Sequence, residues 1–327
     1  MTVGRFAPSP SGPLHVGNLR TAVIAWCLAR KAGGSFLVRV EDLTTGAEPI
    51  GEAEHLADLA ALGLTHDGPV VRQSERTASY DGALDRLVTA GMTYPCFCTR
   101  REIRQEIERA SEAPHGPAPD GAYPGTCRNL TDAERSDRLA EGRPAALRLR
   151  AGGQTVGFVD RFVGPVHRVV DDFVLRRADG VAAYNLAVVV DDAVQNVDQV
   201  VRGDDLVDTT PRQILLQRQL GLPTPEYVHV PLVLGPDGER LAKRHGAVSR
   251  TDLERRGVGP SDLLARLARS IGVASPGHAG GPVANGAALV VRFDLDRLPR
   301  GPVTFDTLVA DFTTASMPPG DGTDENT

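Results

Sequence analysis

At 327 residues, the chain is long enough to bury a substantial core and to form about two domains. Its hydrophobic content of 41% and charged content of 24% are typical of a globular protein. The net charge of −6 argues against broad, non-specific coating of nucleic acid, although a local basic patch is enough to engage phosphates. No apolar run approaches the roughly 20 residues of a membrane helix, and the N-terminus has no signal-peptide core, which favours a cytoplasmic protein with no membrane partner.

The first part of the chain alternates between strand and helix patterns. A short N-terminal strand is followed by a turn rich in Pro, Ser and Gly, after which apolar residues recur with helical spacing. The predicted elements are strands at Val3–Ala7 and Phe36–Val40 and helices at His15–Ala32, Ala47–Leu62 and Ala78–Ala90. This alternation predicts an α/β fold on a parallel sheet, with residues 1–93 as its first half.

Residues 94–166 interrupt the alternation with cysteine-containing loops, prolines and short strands such as Ala146–Leu149, which indicates an inserted α+β subdomain. The alternation resumes over residues 167–240, which form the second half of the sheet domain. The predicted elements there are an apolar strand at Tyr184–Ala193, a helix at Pro211–Leu220 and a strand at Val228–Leu234.

The remaining sequence predicts a small helical unit. Residues 241–300 begin with a basic loop and contain one good helix, Ser261–Ile271, before a Gly/Ala/Pro-rich stretch at 274–288. Residues 301–327 form a C-terminal segment whose polar end is expected to be disordered.

The string RFAPSPSGPLHVGN, residues 5–18, predicts a nucleotide site. A helix N-terminus presents free N–H groups and a positive dipole to phosphate, and Gly17 allows close backbone approach. The string resembles the signature of the glutamyl- and glutaminyl-tRNA synthetases, in which PSPTG…LHxGN contains the "HIGH" element of class I enzymes. The resemblance implies a Rossmann-like catalytic domain in which His15, Gly17 and Asn18 bind ATP and in which His15 and Asn18 are catalytic.

The same resemblance implies an acidic amino-acid substrate. Arg5 matches an arginine that pairs with the side-chain carboxylate of glutamate, a task that suits a guanidinium fork, and Glu41 matches the acid that binds the substrate ammonium group. The full set implied for glutamate is Arg5, Ala7, Ser9, Glu41, Tyr184 and Arg202. Asp191 and Asp192 could indicate a metal pair instead, but neighbours on a strand point to opposite faces, which makes that interpretation weaker.

A second signature lies in the basic loop. Residues 240–246, RLAKRHG, resemble the KLSKRHG form of the class I "KMSKS" loop, with Arg240 in place of Lys and Ala242 in place of Ser. Lys243 matches the lysine that contacts the phosphates in the transition state, and it is one of only two lysines in the chain. Loss of the serine hydroxyl at Ala242 puts the catalytic rate in question.

The cysteines predict a structural metal site. Cys27 falls in an apolar helical run and is expected to be a buried thiol. Cys96, Cys98 and Cys127 cluster around a loop, and three thiolates with one further ligand would complete a tetrahedral zinc site. The string YPGTCR, which contains Cys127, resembles the short glutamyl-queuosine synthetases, which implies Tyr123 as the fourth ligand. His115 is the more conventional alternative.

The short length after Lys243 narrows the expected activity. Residues 244–327 would complete a small helical stem-contact unit without a large anticodon-binding domain. This pattern resembles the short paralogues that activate L-glutamate with ATP and Mg²⁺ and transfer it to queuosine at wobble position 34 of tRNA(Asp), contacting the anticodon loop as a monomer. Three alternatives stay open: a shortened enzyme that charges the 3′ end of tRNA(Glu), a catalytically weak tRNA-binding paralogue, and a nucleotidyltransferase acting on a small molecule.

Overall fold

The computed structural model describes residues 1–43, 51–111, 123–241, 249–273 and 285–305, together with residue 308. The strands are β1 (Val3–Phe6), β2 (Ser35–Val40), β3 (Val71–Arg72), β4 (Thr93–Cys96), β5 (Ala146–Leu149), β6 (Thr155–Asp160), β7 (Gly164–Val169), β8 (Val174–Arg176), β9 (Gln199–Gly203), β10 (Glu226–Val230), β11 (Val233–Leu234) and β12 (Val303–Thr304). The α-helices are α1 (Val16–Lys31), α2 (Glu52–Ala61), α3 (Thr77–Thr89), α4 (Arg100–Ser111), α5 (Asp132–Ala140), α6 (Tyr184–Val194), α7 (Thr210–Leu220), α8 (Arg250–Arg255), α9 (Pro260–Ser270) and α10 (Gly286–Arg292).

Parallel strands form the central sheet in the order β3–β2–β1–β9–β10. The chain moves outward from β1 in one direction and later returns to the other side of β1, so the strand order reverses between β1 and β9. Strand β1 pairs with β2 along its whole length, whereas its register with β9 is Gly4 with Gln199, near the strand beginnings. The carboxyl ends of β1 and β9 are therefore free to border a crevice.

Helix α1 covers one face of this sheet and is itself covered by the C-terminal helices α9 and α10. Its apolar residues, including Leu19, Val23 and Trp26, are buried because they face either the sheet or these later helices. His15 caps its N-terminus, and Arg30 and Lys31 in its last turn offset the negative end of the helix dipole. The strand–helix–strand unit of β1, α1 and β2 agrees with the start of the predicted Rossmann-like fold.

The other face of the sheet carries α3, α6 and α7. The prediction of a strand at Tyr184–Ala193 is wrong, because this run forms α6. Residues from Leu186 to Asp192 are all buried, so the run shows no amphipathic period that would distinguish a buried helix from a buried strand. Asp191 and Asp192 therefore lie about 100° apart on a helix.

The inserted region has its own antiparallel structure. Strands β4, β5 and β8 form a three-stranded sheet, and β6 and β7 form a hairpin. Strand β5 has the bounds predicted for Ala146–Leu149, and β8 extends the small sheet beyond residue 166. Hairpin strand β6 packs against β10 of the central sheet, which places one end of the inserted region beside the parallel strands.

Two further predictions require correction. The strand expected at Val228–Leu234 is divided into β10 and β11, because Pro231 has no N–H for a continuous ladder. The carbonyl of Pro231 instead accepts a 2.7 Å hydrogen bond from Nη1 of the buried Arg20. The second correction concerns the Gly/Ala/Pro-rich stretch, whose end forms α10; residues 274–284 lie outside the described part of the chain.

Candidate active site

A cleft of about 510 Å³ opens at the carboxyl edge of the sheet, between the ends of β1 and β9 and the N-terminus of α1. This is the position at which open parallel sheets bind ligands, since the diverging strands leave a crevice there. The sequence-predicted residues that line the cleft are Arg5, Ala7, Ser9, His15, Gly17, Asn18, Glu41, Tyr184 and Arg202. The structure thus brings together every described residue predicted for glutamate and ATP, while their individual roles stay predictions.

His15 and Asn18 cap the N-terminus of α1 reciprocally. Nδ1 of His15 accepts the backbone N–H of Asn18 at 3.2 Å, and Oδ1 of Asn18 accepts the backbone N–H of His15 at 3.2 Å. Because Nδ1 is an acceptor, the neutral ring carries its proton on Nε2. Burial and then the charge of Arg240 lower the pKa of His15 to about 4. At neutral pH the ring is therefore an uncharged N–H donor at a helix terminus that favours anions.

Arg5 is a buried cation with a nearby counter-charge. Its Nε donates to Oδ1 of Asp192 at 3.3 Å, and its Nη1 donates to the carbonyl of Val201 at 3.3 Å. Nη1 of Arg39 donates to the same Asp192 oxygen at 2.7 Å. Burial alone would raise the pKa of Asp192, but the charges of Arg39 and Arg5 hold it below its usual range. Asp192 is therefore ionised and neutralises part of the positive charge of Arg5 and Arg39.

Glu41 follows β2 and shares Arg39 with this network. Its Oε1 accepts a hydrogen bond from Nη2 of Arg39 at 3.3 Å. Burial raises the pKa of Glu41, and the charges of Arg39 and Arg5 oppose that rise only in part. A cation arriving in the cleft would stabilise the ionised carboxylate, which is the property expected of a group that binds an ammonium ion.

Arg202, on β9, has a different environment. Its Nη1 donates to Oη of Tyr184 at 3.3 Å, its Nη2 to Oγ1 of Thr210 at 2.8 Å and its Nε to Nε2 of His229 at 3.0 Å. Burial lowers the pKa of His229, which keeps the imidazole neutral. Within the described part of the chain, Arg202 is thus only 6% exposed and makes hydrogen bonds solely to neutral groups. A buried cation in this state is a receptor for an anion.

The second signature lies partly outside the described residues. Lys243 and Ala242 belong to the undescribed stretch 242–248. Before it, Arg240 lines the cleft and donates from Nη1 to Oδ2 of Asp205 at 2.5 Å. After it, Ser249 forms an antiparallel bridge with His15 and caps α8. The described residues on both sides of the stretch therefore lie at the cleft or contact one of its lining residues.

Asp191 and Asp192 do not face each other. Asp191 accepts hydrogen bonds from Nε2 of Gln73 at 2.9 Å and from Oη of Tyr80 at 2.8 Å, and it pairs with Nε of Arg76 at 2.5 Å. Asp192 points to the arginines behind the cleft. Each carboxylate is neutralised by arginine, so the metal-pair interpretation has no support in this geometry.

The three clustered cysteines meet at the end of β4, whose last residue is Cys96. The Sγ atoms of Cys96, Cys98 and Cys127 lie within 4.8 Å of one another, and those of Cys98 and Cys127 are 3.4 Å apart. Oη of Tyr123 lies 3.4 Å from the sulfur of Cys96 and 3.7 Å from that of Cys98. Hydrogen bonds from Cys127 and Cys98 lower the pKa of the Cys96 thiol, which favours a thiolate.

This donor set fits a tetrahedral metal ion. Sulfurs bound at about 2.3 Å to one zinc ion would be about 3.8 Å apart, close to the separations found here. Tyr123 supplies an oxygen at the same centre, although its Oη also accepts the backbone N–H of Cys127 at 2.9 Å. His115 lies outside the described residues. Among the described residues, this is the one cluster of three or more His, Cys, Asp or Glu side chains arranged to hold a metal.

Several site residues escaped the sequence interpretation. Arg39, Asp160, Thr210 and His229 were not predicted, and Asp192 was considered only for a metal pair, yet these residues determine how the cleft residues are held. The one available signal was a charged residue inside an apolar strand, as in FLVRV for Arg39. Such a residue is rarely buried without a partner, but the sequence does not identify that partner.

Residues 1–304 match the family described as tRNA synthetases class I (E and Q), catalytic domain. The chain therefore belongs to this family of class I synthetases, which are ligases. It is 56% identical over 299 residues to the glutamyl-Q tRNA(Asp) synthetase of Nocardia farcinica, with 91% of each chain covered. It is 46% identical over 316 residues to the glutamyl-Q tRNA(Asp) synthetase of Symbiobacterium thermophilum, with 93% of this chain and 95% of that protein covered.

The fold comparison agrees. A glutamate tRNA ligase from Elizabethkingia meningosepticum, crystallised in complex with its amino acid, superposes with a TM-score of 0.78 at 26% identity. The superposition covers 95% of this chain and 68% of that one. The predicted family and class I fold are thus confirmed. No helix among the described residues has the length and apolar character needed to cross a bilayer.

Proposed function

We propose that this enzyme activates L-glutamate with ATP and transfers it to queuosine at wobble position 34 of tRNA(Asp). In the first step, a carboxylate oxygen of glutamate bonds to the α-phosphorus of ATP, and pyrophosphate leaves. In the second step, a hydroxyl of the cyclopentene-diol of queuosine bonds to the activated carbonyl carbon and loses its proton, and AMP leaves. The relatives that cover most of the chain carry the corresponding name, glutamyl-Q tRNA(Asp) synthetase.

The observation that carries the proposal is the environment of Arg202. This guanidinium is buried beside the cleft with neutral hydrogen-bond partners, so a ligand carboxylate would supply its counter-charge. Arg5 lies in the same cleft as a second guanidinium, and Glu41 offers a carboxylate to a substrate ammonium. Two guanidinium groups suit the side-chain carboxylate of glutamate, and the one carboxylate suits its ammonium group. A neutral glutamine would leave one guanidinium without its partner.

ATP is assigned to the N-terminus of α1. The Nε2–H of neutral His15 and the free backbone N–H groups of the first turn would donate to phosphate oxygens, and Gly17 leaves room for them. Lys243 is assigned to the charge that develops on the phosphates as pyrophosphate leaves. Mg²⁺ accompanies ATP in this family and would neutralise phosphate charge when bound.

We assign a structural zinc ion to Cys96, Cys98, Cys127 and Tyr123. The proximity of the three sulfurs and the phenol oxygen supports this assignment. With four protein ligands the ion would have no open position, so it would stabilise the inserted region and take no part in the reaction. The activity is assigned to the cytoplasm, where ATP and tRNA are available. A monomer is proposed because one chain supplies all the cleft residues named above.

The test measures amino-acid-dependent exchange of pyrophosphate into ATP, followed by transfer of labelled amino acid to RNA. We expect exchange with L-glutamate and not with L-glutamine, and transfer to tRNA(Asp) that contains queuosine. Unmodified tRNA(Asp) and tRNA(Glu) should stay unlabelled. Label on the 3′ end of tRNA(Glu) would establish the shortened charging enzyme instead. Absence of exchange would leave the tRNA-binding paralogue, and nucleotidyl transfer independent of both glutamate and tRNA would point to a small-molecule acceptor.

A matched pair of variants tests the role of Arg202. Arg202→Gln should raise the KM for glutamate about 30-fold or more, because it removes the cation that faces the substrate carboxylate. The control is Arg161→Gln, which alters an exposed arginine of the β6–β7 turn that pairs with Glu226 of β10. It should leave the KM for glutamate unchanged. Equal KM values for Arg202→Gln and the wild-type enzyme would contradict the assignment.

A further inference from the structure

Behind Arg202, two buried side chains continue the hydrogen-bond network away from the cleft. Nε2 of His229 accepts from Nε of Arg202 at 3.0 Å, and Nδ1 of His229 lies 2.7 Å from Oδ2 of Asp160. The three residues come from β9, β10 and β6. His229 and Arg202 are direct partners in the parallel register of β9 and β10, which fixes their separation. His229 has no exposed surface, and Asp160 is 1% exposed.

The hydrogen bonds have a single consistent direction. Asp160 accepts the backbone N–H groups of Phe162, Val163 and His229, so its carboxylate acts as an anion. Burial would raise the pKa of Asp160, but hydrogen bonds from His229 and from the amides of Val163 and Phe162 hold it below its usual range. Nδ1 of His229 must then carry the proton that Asp160 accepts. The neutral ring presents the Nε2 lone pair to Arg202.

This arrangement holds Arg202 without neutralising it. Nε and Nη2 are taken by His229 and by Oγ1 of Thr210, while Nη1 lies beside Tyr184 at the cleft. A carboxylate in direct contact with Arg202 would compete with an incoming substrate carboxylate for the same charge. A neutral imidazole orients the guanidinium and leaves its charge available, whereas Arg5 contacts Asp192 directly.

We propose that Asp160 and His229 are positioning residues for glutamate binding: Asp160 fixes the tautomer of His229, and His229 holds Arg202 in the orientation that receives the substrate carboxylate. The inference rests on the proposed function, because it deepens the role given there to Arg202. Asp160 is the last residue of β6, and its carboxylate also caps the turn into β7. The geometry of the glutamate site therefore depends on a residue of the inserted region.

Two substitutions of His229 separate positioning from a purely structural role. The amide of His229→Asn can still donate to Asp160 from the position of Nδ1, but it has no acceptor at the position of Nε2. His229→Gln places its oxygen near Nε2 and keeps the acceptor for Arg202. We expect the KM for glutamate in pyrophosphate exchange to rise about tenfold in His229→Asn and less than about threefold in His229→Gln. The KM for ATP should be unchanged in both variants.

A variant of Asp160 and an NMR measurement on the wild-type enzyme keep the inference testable if a variant of His229 fails to fold. Asp160→Asn should raise the KM for glutamate about tenfold as well, since the ring then loses the carboxylate that selects its tautomer. The ¹⁵N shifts of His229 in the wild-type enzyme should show Nδ1 protonated and Nε2 unprotonated. A ring protonated on Nε2, or equal glutamate KM values in folded wild-type, His229→Asn and Asp160→Asn enzymes, would overturn the positioning role.

The measurements distinguish a wrong function from a wrong role for His229. If the wild-type enzyme shows no glutamate-dependent exchange, the proposed function is wrong, while the tautomer of His229 can still be measured. If the wild-type enzyme exchanges and Arg202→Gln impairs it, but His229→Asn binds glutamate normally, the function holds and the positioning inference fails. Equal losses in His229→Asn and His229→Gln, with equal loss of stability, would assign the pair a structural role alone.

Discussion

Replacement of Gly17 by alanine tests the nucleotide site with the smallest possible change. Gly17 is the second residue of α1. A methyl group there would lie 3.0 Å from both Cε1 and Nδ1 of the His15 ring and 3.3 Å from Cβ of Val233. Carbon atoms in good contact are about 3.5–4.0 Å apart, so the ring would have to move by a few tenths of an ångström. The glycine is needed here for close approach of the imidazole.

The shift should change the stability of the protein little and its activity strongly. The hydrogen bond from the Asn18 amide to Nδ1 of His15 is already 3.2 Å long, and a further few tenths of an ångström would bring it to the limit of hydrogen-bond distance. Its loss costs about 1 kcal/mol, and replacing glycine in a helix returns about 0.5–1 kcal/mol. The free energy of unfolding should therefore change by less than about 0.5 kcal/mol. A phosphate donor displaced on this scale should lower the exchange rate about tenfold, since a displacement of about 1 Å can cost 100-fold.

The assay compares pyrophosphate exchange and urea unfolding for Gly17→Ala and Gly82→Ala. Gly82 is exposed in the middle of α3, and an added methyl group would meet no atom within 4 Å. Gly82→Ala should gain about 0.5–1 kcal/mol of stability and keep full activity. If Gly17→Ala exchanges pyrophosphate at the wild-type rate with the wild-type KM for ATP, the placement of the His15 ring has no catalytic significance and the reasoning is refuted.

Two further predictions concern the same site and the cysteine cluster. The pKa of His15 is about 4 in the folded protein and 6.5 in its ordinary state, so the unfolded chain binds a proton first as the pH falls. The contribution of neutral His15 to stability is therefore complete above pH 6.5 and is lost as the pH falls toward 4. An NMR titration of the His15 ring should give this low pKa, and a pKa near 6.5 would contradict the buried, neutral donor. The purified protein should contain about one zinc ion per chain, which Cys98→Ser should largely lose and Cys27→Ala should retain. Zinc content by mass spectrometry checks this, and a Cys98→Ser protein with full zinc would exclude the proposed ligand set.

The strand, turn and helix that begin the cleft can be predicted from the sequence because their signals are local. The turn rich in Pro, Ser and Gly before α1 marks the end of β1, and the predicted bounds of strand and helix agree with the structure to within one residue. The glutamate set came from a resemblance to known motifs, and the fold brings its members to one cleft. Helix α6 was misinterpreted because its run of valines is buried on every side, which removes the period that distinguishes helix from strand.

The partners of the site residues were beyond the reach of motif reasoning. Arg5 and Asp192 are 187 residues apart in sequence, and His229 and Asp160 are 69 apart. Only the strand order and the parallel register bring them together. A motif can indicate that an arginine binds a carboxylate. The groups that set its orientation and its remaining charge follow from the packing of distant segments.

The difference between Arg5 and Arg202 explains how one cleft can favour glutamate, whose side chain is a carboxylate, over glutamine, whose side chain is a neutral amide. Arg5 contacts the ionised Asp192, so burying its charge costs the folded protein little. Arg202 makes its hydrogen bonds to a neutral imidazole, a hydroxyl and a phenol, and the charge of Asp192 acts on it only through space. The free enzyme therefore keeps one poorly compensated cation at the cleft, and a substrate carboxylate relieves that cost on binding. Discrimination against a neutral amide then follows from the anion that the amide fails to supply.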